Sequence, residues 1–98
     1  MVSERDLEYL VVKLLLGYKL YFDRDGVLNS EGRKLFEEIA RLLVYEHPEF
    51  KPLVKKTRKN PTLSNVVKVA ETLVDPERVR ELVEAGVQGP YKYAENPR

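Results

Sequence analysis

Six cations and no carboxylate occupy residues 50–70: Lys51, Lys55, Lys56, Arg58, Lys59 and Lys68. A lysine ammonium is a mobile point charge that neutralises a phosphate, and an arginine fork adds paired hydrogen bonds. The chemistry within reach of this segment is therefore the holding of a polyanion. The flanking sequence is acidic on balance. Residues 1–49 carry a net charge of −3 and residues 71–98 a net charge of −2, in a chain whose total is only +1. The positive charge is concentrated in one place.

No other set of residues supports a reaction. There is no cysteine, hence no disulfide framework and no thiolate metal site. His47 is the single histidine and precedes Pro48, which reads as a helix stop. Glu37 and Glu38 are adjacent on a helical pattern and point to different azimuths, and no serine or glycine-rich loop has a nucleophile or phosphate-loop context. The run Phe22-Asp23-Arg24-Asp25-Gly26-Val27-Leu28-Asn29 looks like the first motif of haloacid-dehalogenase-type phosphatases. In that family two aspartates two residues apart supply the nucleophile and the general acid. The chemistry also requires a lysine strand and a second acidic pair on a longer α/β chain, and no βαβ alternation follows here. The same residues imitate part of a calcium loop, but Tyr21 falls at its first ligand position and Gly32 at its closing glutamate position. A polar turn entering a capped helix accounts for them. The reading is of a non-enzyme with no cofactor, no metal and no small-molecule ligand.

The elements that position the basic segment follow from hydrophobic periodicity. Leu7, Leu10, Val11, Leu14 and Tyr18 recur at helical spacing after Ser3 and Asp6, which resemble a capping box. Val12, Leu15 and Leu16 widen the apolar arc, so this helix is central in the core or buried at a dimer interface. Residues 18–28 form a small hairpin turned at Asp25-Gly26, or a loop. Asn29 or Ser30 caps a second helix with Leu35, Phe36, Ile39, Leu42 and Leu43 inward. Pro52 suits the first turn of a short third helix reaching about Arg58. Asn60-Pro61-Thr62 then caps a fourth helix with Leu63, Val66, Val67, Ala70 and Val74 inward. Asp75-Pro76 opens a fifth helix, which Gly86 is placed to close in a left-handed cap. Gln88-Gly89-Pro90 starts an extended tail with Tyr91 and Tyr93. The expected fold is all-α, a compact bundle of about five helices in one domain over 1–98, divided into 1–28, 29–74, 75–87 and 88–98.

Lys59-Asn60-Pro61-Thr62-Leu63-Ser64-Asn65-Val66-Val67-Lys68-Val69-Ala70-Glu71-Thr72-Leu73 resembles the fourth helix of the Cro/repressor-type helix-turn-helix family, in its antitoxin-like members. Leu35 to Leu43 is similar to that family's first motif helix, with Ala40 where a residue packs against the recognition helix. The resemblance covers roughly residues 35–74 and implies a recognition helix within residues 48–59, on the basic window. The family's turn carries Gly and a small capping residue, where this chain has Val44-Tyr45-Glu46-His47-Pro48. Its base-reading positions are filled here by Lys55, Lys56, Thr57 and Arg58.

Lysines grip phosphate without the bidentate contacts that specify a base. The expectation is a small DNA-binding protein, a transcriptional regulator or DNA-coating factor, holding duplex DNA through Lys51, Lys55, Lys56, Arg58 and Lys59. Thr57, Asn60, Ser64, Asn65 and Lys68 stand in supporting or base-edge positions. A homodimer is expected from the first helix and from the tail tyrosines. The alternative is a helical structural or adaptor subunit whose basic face meets protein, or simply a solvated face on which Lys55, Lys56 and Lys59 are able to pair with Glu37, Glu38 or Glu71. The charged N-terminus does not read as a signal peptide and no apolar run reaches spanning length, so a cytoplasmic location is expected. Abundant Glu, Lys and Arg with few thermolabile residues point to a thermophilic source.

Overall fold

The computed structural model describes residues 4–89, with side chains from residue 6 onward. The expectations for Ser3, Tyr91 and Tyr93 lie outside the described residues. Six α-helices follow one another: α1 (Glu4–Leu16), α2 (Tyr18–Tyr21), α3 (Ser30–Glu46), α4 (Lys51–Lys59), α5 (Leu63–Ala70) and α6 (Pro76–Gln88), with a single 3-10 turn over Pro48–Phe50 before α4. The all-α bundle read from periodicity is the fold.

α1 is the central element and packs on both α3 and α6. Its Leu7, Val11, Leu14 and Leu15 are buried in one cluster with Leu35, Phe36, Ile39, Ala40 and Leu43 of α3 and with Val79 and Leu82 of α6. Two neighbours on different sides explain why its apolar arc is wide. Burying each such leucine or valine contributes about 1.5–3 kcal/mol, so α1 is a major source of stability in the bundle. Where α6 meets α1 the backbones approach closely at Gly86, which lies inside α6 and not at its end. A Cβ there would overlap the Leu15 carbonyl oxygen and stand 3.0 Å from the Tyr18 Cβ. The expected left-handed cap at Gly86 is thus corrected. α6 runs on to Gln88, and its C-cap Gly89 has φ −63°.

Of the two expectations for residues 18–28, hairpin or loop, a very short hairpin is found, preceded by a helical turn. Tyr18–Tyr21 is a helical turn, and only an isolated bridge joins Phe22 to Leu28. Between them the Asp23 carboxylate accepts the Asp25 and Val27 amides at 2.9 and 3.1 Å, and Gly26 turns the chain at φ 77°. The Asp23 N–H donates to the Val27 carbonyl at 2.8 Å and the Asn29 N–H to the Tyr21 carbonyl at 2.9 Å, so aspartate capping and backbone pairing together close the turn. The turn then docks on the entry to α5. Leu28 N–H donates to the Pro61 carbonyl at 3.0 Å and Leu63 N–H to the Gly26 carbonyl at 2.9 Å. Asn29 caps α3 by accepting the Gly32 amide at 2.8 Å, and its own amide group reaches back to the Leu20 carbonyl at 2.9 Å.

The α4–α5 corner is built from short polar links. The N-cap of α5 is Thr62, whose hydroxyl accepts the Asn65 amide at 3.2 Å. The Asn65 side chain donates to the Asn60 carbonyl at 2.8 Å. Pro52 sits in the first turn of α4, where its missing N–H costs nothing. Among the described residues, no helix is long and apolar enough to cross a membrane.

Candidate nucleic-acid interface

α4 is nine residues long, and only Val54 and Thr57 are fully buried, with Leu53 partly so. At 100° per residue these three define one side of the helix, and Lys51, Lys55, Lys56 and Lys59 fall on the opposite side. Lys51, Lys55 and Lys59 form a row with steps of about 6 Å along the axis, and Lys56 stands beside it. All four are exposed. None is within salt-bridge distance of a carboxylate among the described residues. Pairing of Lys55, Lys56 and Lys59 with Glu37, Glu38 or Glu71 is not found among the described residues, whereas the exposed, solvated face of that alternative is. Lysines this close repel one another by a few tenths of a kcal/mol per pair. Lys56 and Lys59 lie in the last turn, where the helix dipole offsets part of that repulsion.

Lys68 and Ser64 are exposed one turn apart on α5, and Asn60 is exposed at the corner. These positions are open to a ligand. Two expected contacts are not. Thr57 has no exposed surface, and its hydroxyl donates to the Leu53 carbonyl at 3.0 Å. Asn65 is 8% exposed and spends its side chain on Asn60. Both hold the corner together and neither reaches the surface. The polarity that suggested base contact is that of satisfied buried groups.

Arg58 is the one basic residue of α4 already engaged. Its Nε and Nη2 donate to the two Glu37 carboxylate oxygens at 2.8 and 2.9 Å, a fork-to-fork pair joining α4 to α3. The hydrogen bond to Glu37 raises the guanidinium pKa above its ordinary value, with desolvation opposing. The pair borders a cleft of about 300 Å³ between α3 and the α4–α5 corner, lined by Leu28, Arg33, Phe36, Glu37, Arg58 and Pro61. Arg33 was not singled out from the sequence. The signal available was its spacing of four residues from Glu37 on α3, which places both on one face.

The candidate surface is therefore a lysine row on α4, with Lys68 and Ser64 exposed on α5 and an arginine–glutamate pair joining α4 to α3. It is rich in point charges and poor in free planar donors. No protein-family model, no curated protein and no solved structure matches the chain.

Proposed function

We propose that this protein is a small cytoplasmic duplex-DNA-binding factor, a transcriptional regulator or DNA-coating protein, that grips phosphates through the outer face of α4. The observation that carries this reading is the row of four exposed lysines without a carboxylate partner among the described residues. A buried side of only three residues leaves the rest of α4 exposed to solvent. The resemblance of residues 35–74 to the Cro/repressor-type helix-turn-helix family supports the same element as the one that meets DNA. Lysines acting as point charges favour binding with little base discrimination.

If Lys51, Lys55, Lys56, Lys59 and Lys68 each neutralise one phosphate, log affinity falls against log salt with a slope of about −4.5. Between about 50 and 200 mM salt the affinity for a short duplex then drops roughly 500-fold. Fluorescence anisotropy with a labelled duplex measures this. A flat salt response, or binding unaffected when Lys51, Lys55, Lys56 and Lys59 become glutamine, removes the reading.

A second reading, a helical adaptor or coat subunit, is favoured by Tyr9, Leu16, Leu20 and Val87. These are 39–65% exposed on α1, α2 and α6. The same side chains support a homodimer as the DNA-binding form. Sedimentation of the free protein separates the two, since a dimer fits a DNA-binding factor and a large ordered assembly fits a coat.

A further inference from the structure

We infer that Arg33 and Arg58 form a phosphate-binding site at the margin of the lysine row, and that Glu37 occupies it in the free protein as an internal stand-in for the phosphate. The inference rests on the duplex reading above and adds to it a site and a restraint.

The geometry begins with Arg58. It follows Lys51 by seven residues and Lys55 by three on α4, so Lys51, Lys55 and Arg58 lie within about 60° of one another around the helix, with Lys59 about 100° from Arg58. A phosphate strand that follows Lys51 and Lys55 comes next to Arg58, which borders the cleft between α3 and the α4–α5 corner. At that border the Arg58 fork is fully formed, with two donors at 2.8 and 2.9 Å from two oxygens of a single group. A carboxylate and a phosphate diester present the same pair of acceptors to a guanidinium, so the fork that holds Glu37 fits a phosphate without rearrangement. Arg33 lines the same cleft from one turn earlier on α3, which leaves the cleft with two cations and one anion. The floor of the cleft is the buried Leu28, Phe36 and Pro61.

Both partners are about half exposed, at 46% for Arg58 and 50% for Glu37. Such a pair is weak and exchanges readily for another anion. The arriving phosphate takes the Arg58 fork, Glu37 swings to solvent, and Arg33 keeps the site net positive. Glu37 thereby lowers the affinity of the site for any phosphate, duplex backbone and free anion alike, by the strength of the pair that must be given up.

The test compares Glu37→Gln with Glu38→Gln, which removes the same charge from the neighbouring residue at another azimuth of α3. Duplex binding is followed by anisotropy at about 0.1 M salt. Glu37→Gln is expected to bind about two- to fivefold tighter, the range an exposed ion pair supports, while Glu38→Gln stays near the parent. In an Arg58→Gln background the gain from Glu37→Gln disappears, and Arg33→Gln weakens binding. Equal gains from both glutamine variants, no gain from Glu37→Gln, or a gain that survives Arg58→Gln would each overturn the inference. Titration with inorganic phosphate, read from the arginine Nε–H resonances, separates this idea from the reading beneath it. Arg33 and Arg58 responding in Glu37→Gln while no variant binds duplex leaves the phosphate site standing and the duplex reading lost. Silence in both experiments ends both.

Discussion

A polar side chain in a basic segment invites a role in ligand contact, and at two residues here burial decides against it. Thr57 and Asn65 each spend their polar atoms on backbone carbonyls of the α4–α5 corner, whereas Lys59 makes no ion pair among the described residues. The two kinds of residue should separate cleanly in experiment. Asn65→Ala is expected to cost about 1 kcal/mol of stability, the net worth of one partly buried hydrogen bond, and to leave duplex affinity of the folded protein unchanged. Lys59→Gln is expected to do the reverse. Stability stays within about 0.5 kcal/mol, while the slope of log affinity against log salt becomes shallower by about 0.9. Urea unfolding and salt-dependent anisotropy on both variants check the pair. An affinity loss in folded Asn65→Ala would put that side chain back at the surface.

At the scale of elements, the helices were legible wherever an apolar stripe ran for two turns or more. α1, α3, α5 and α6 follow from Leu7-Val11-Leu14, Leu35-Phe36-Ile39, Leu63-Val66-Ala70 and Val79-Leu82-Val83, and α4 follows from proline at its start and charge on its outer face. Short segments were not legible, because their conformation depends on contacts distant in sequence. Residues 18–21 are helical and the Asp23 turn docks on Pro61 and Leu63, and no local pattern announces that docking. Gly86 misled for a related reason. A glycine near a helix end reads as a cap, but here it makes room for the backbone of another helix. In the candidate site the lysine row was legible from charge alone, whereas the Arg58–Glu37 link spans 21 residues and needed the fold. Gly86→Ala tests the packing interpretation, because two effects oppose each other. Helix propensity favours alanine by about 1 kcal/mol, while overlap with the Leu15 carbonyl forces apart two well-packed helices at a cost of typically 1–3 kcal/mol or more. Net destabilisation is expected, read as a lower urea midpoint at unchanged m-value. A stabilised variant would show that α1 and α6 do not approach this closely.

Across the whole molecule, charge and stability are arranged separately, and that separation has a thermodynamic consequence. The core cluster draws on α1, α3, α4, α5 and α6 without using any of the lysines, so the lysines share one face only when the bundle holds α4 in place. In the unfolded chain the same charges are dispersed along a flexible polymer and hold a duplex less well. A duplex that binds the folded state preferentially must therefore raise thermal stability. At a free duplex concentration about 100 times the dissociation constant the stabilisation is about 2.7 kcal/mol. For a domain of this size each kcal/mol moves the midpoint by roughly 4–8 °C, so an upward shift on the order of 10–20 °C is expected at low salt. The shift should shrink as salt rises, because the dissociation constant rises with it. Calorimetry with a GC-rich duplex that melts well above the protein measures this, alongside a variant carrying glutamine at Lys51, Lys55, Lys56 and Lys59. That variant should unfold near the midpoint of the free parent and gain almost nothing from duplex. An equal gain in parent and variant would place the binding surface elsewhere on the bundle, and no gain in the parent at low salt would mean that the folded protein does not prefer duplex DNA.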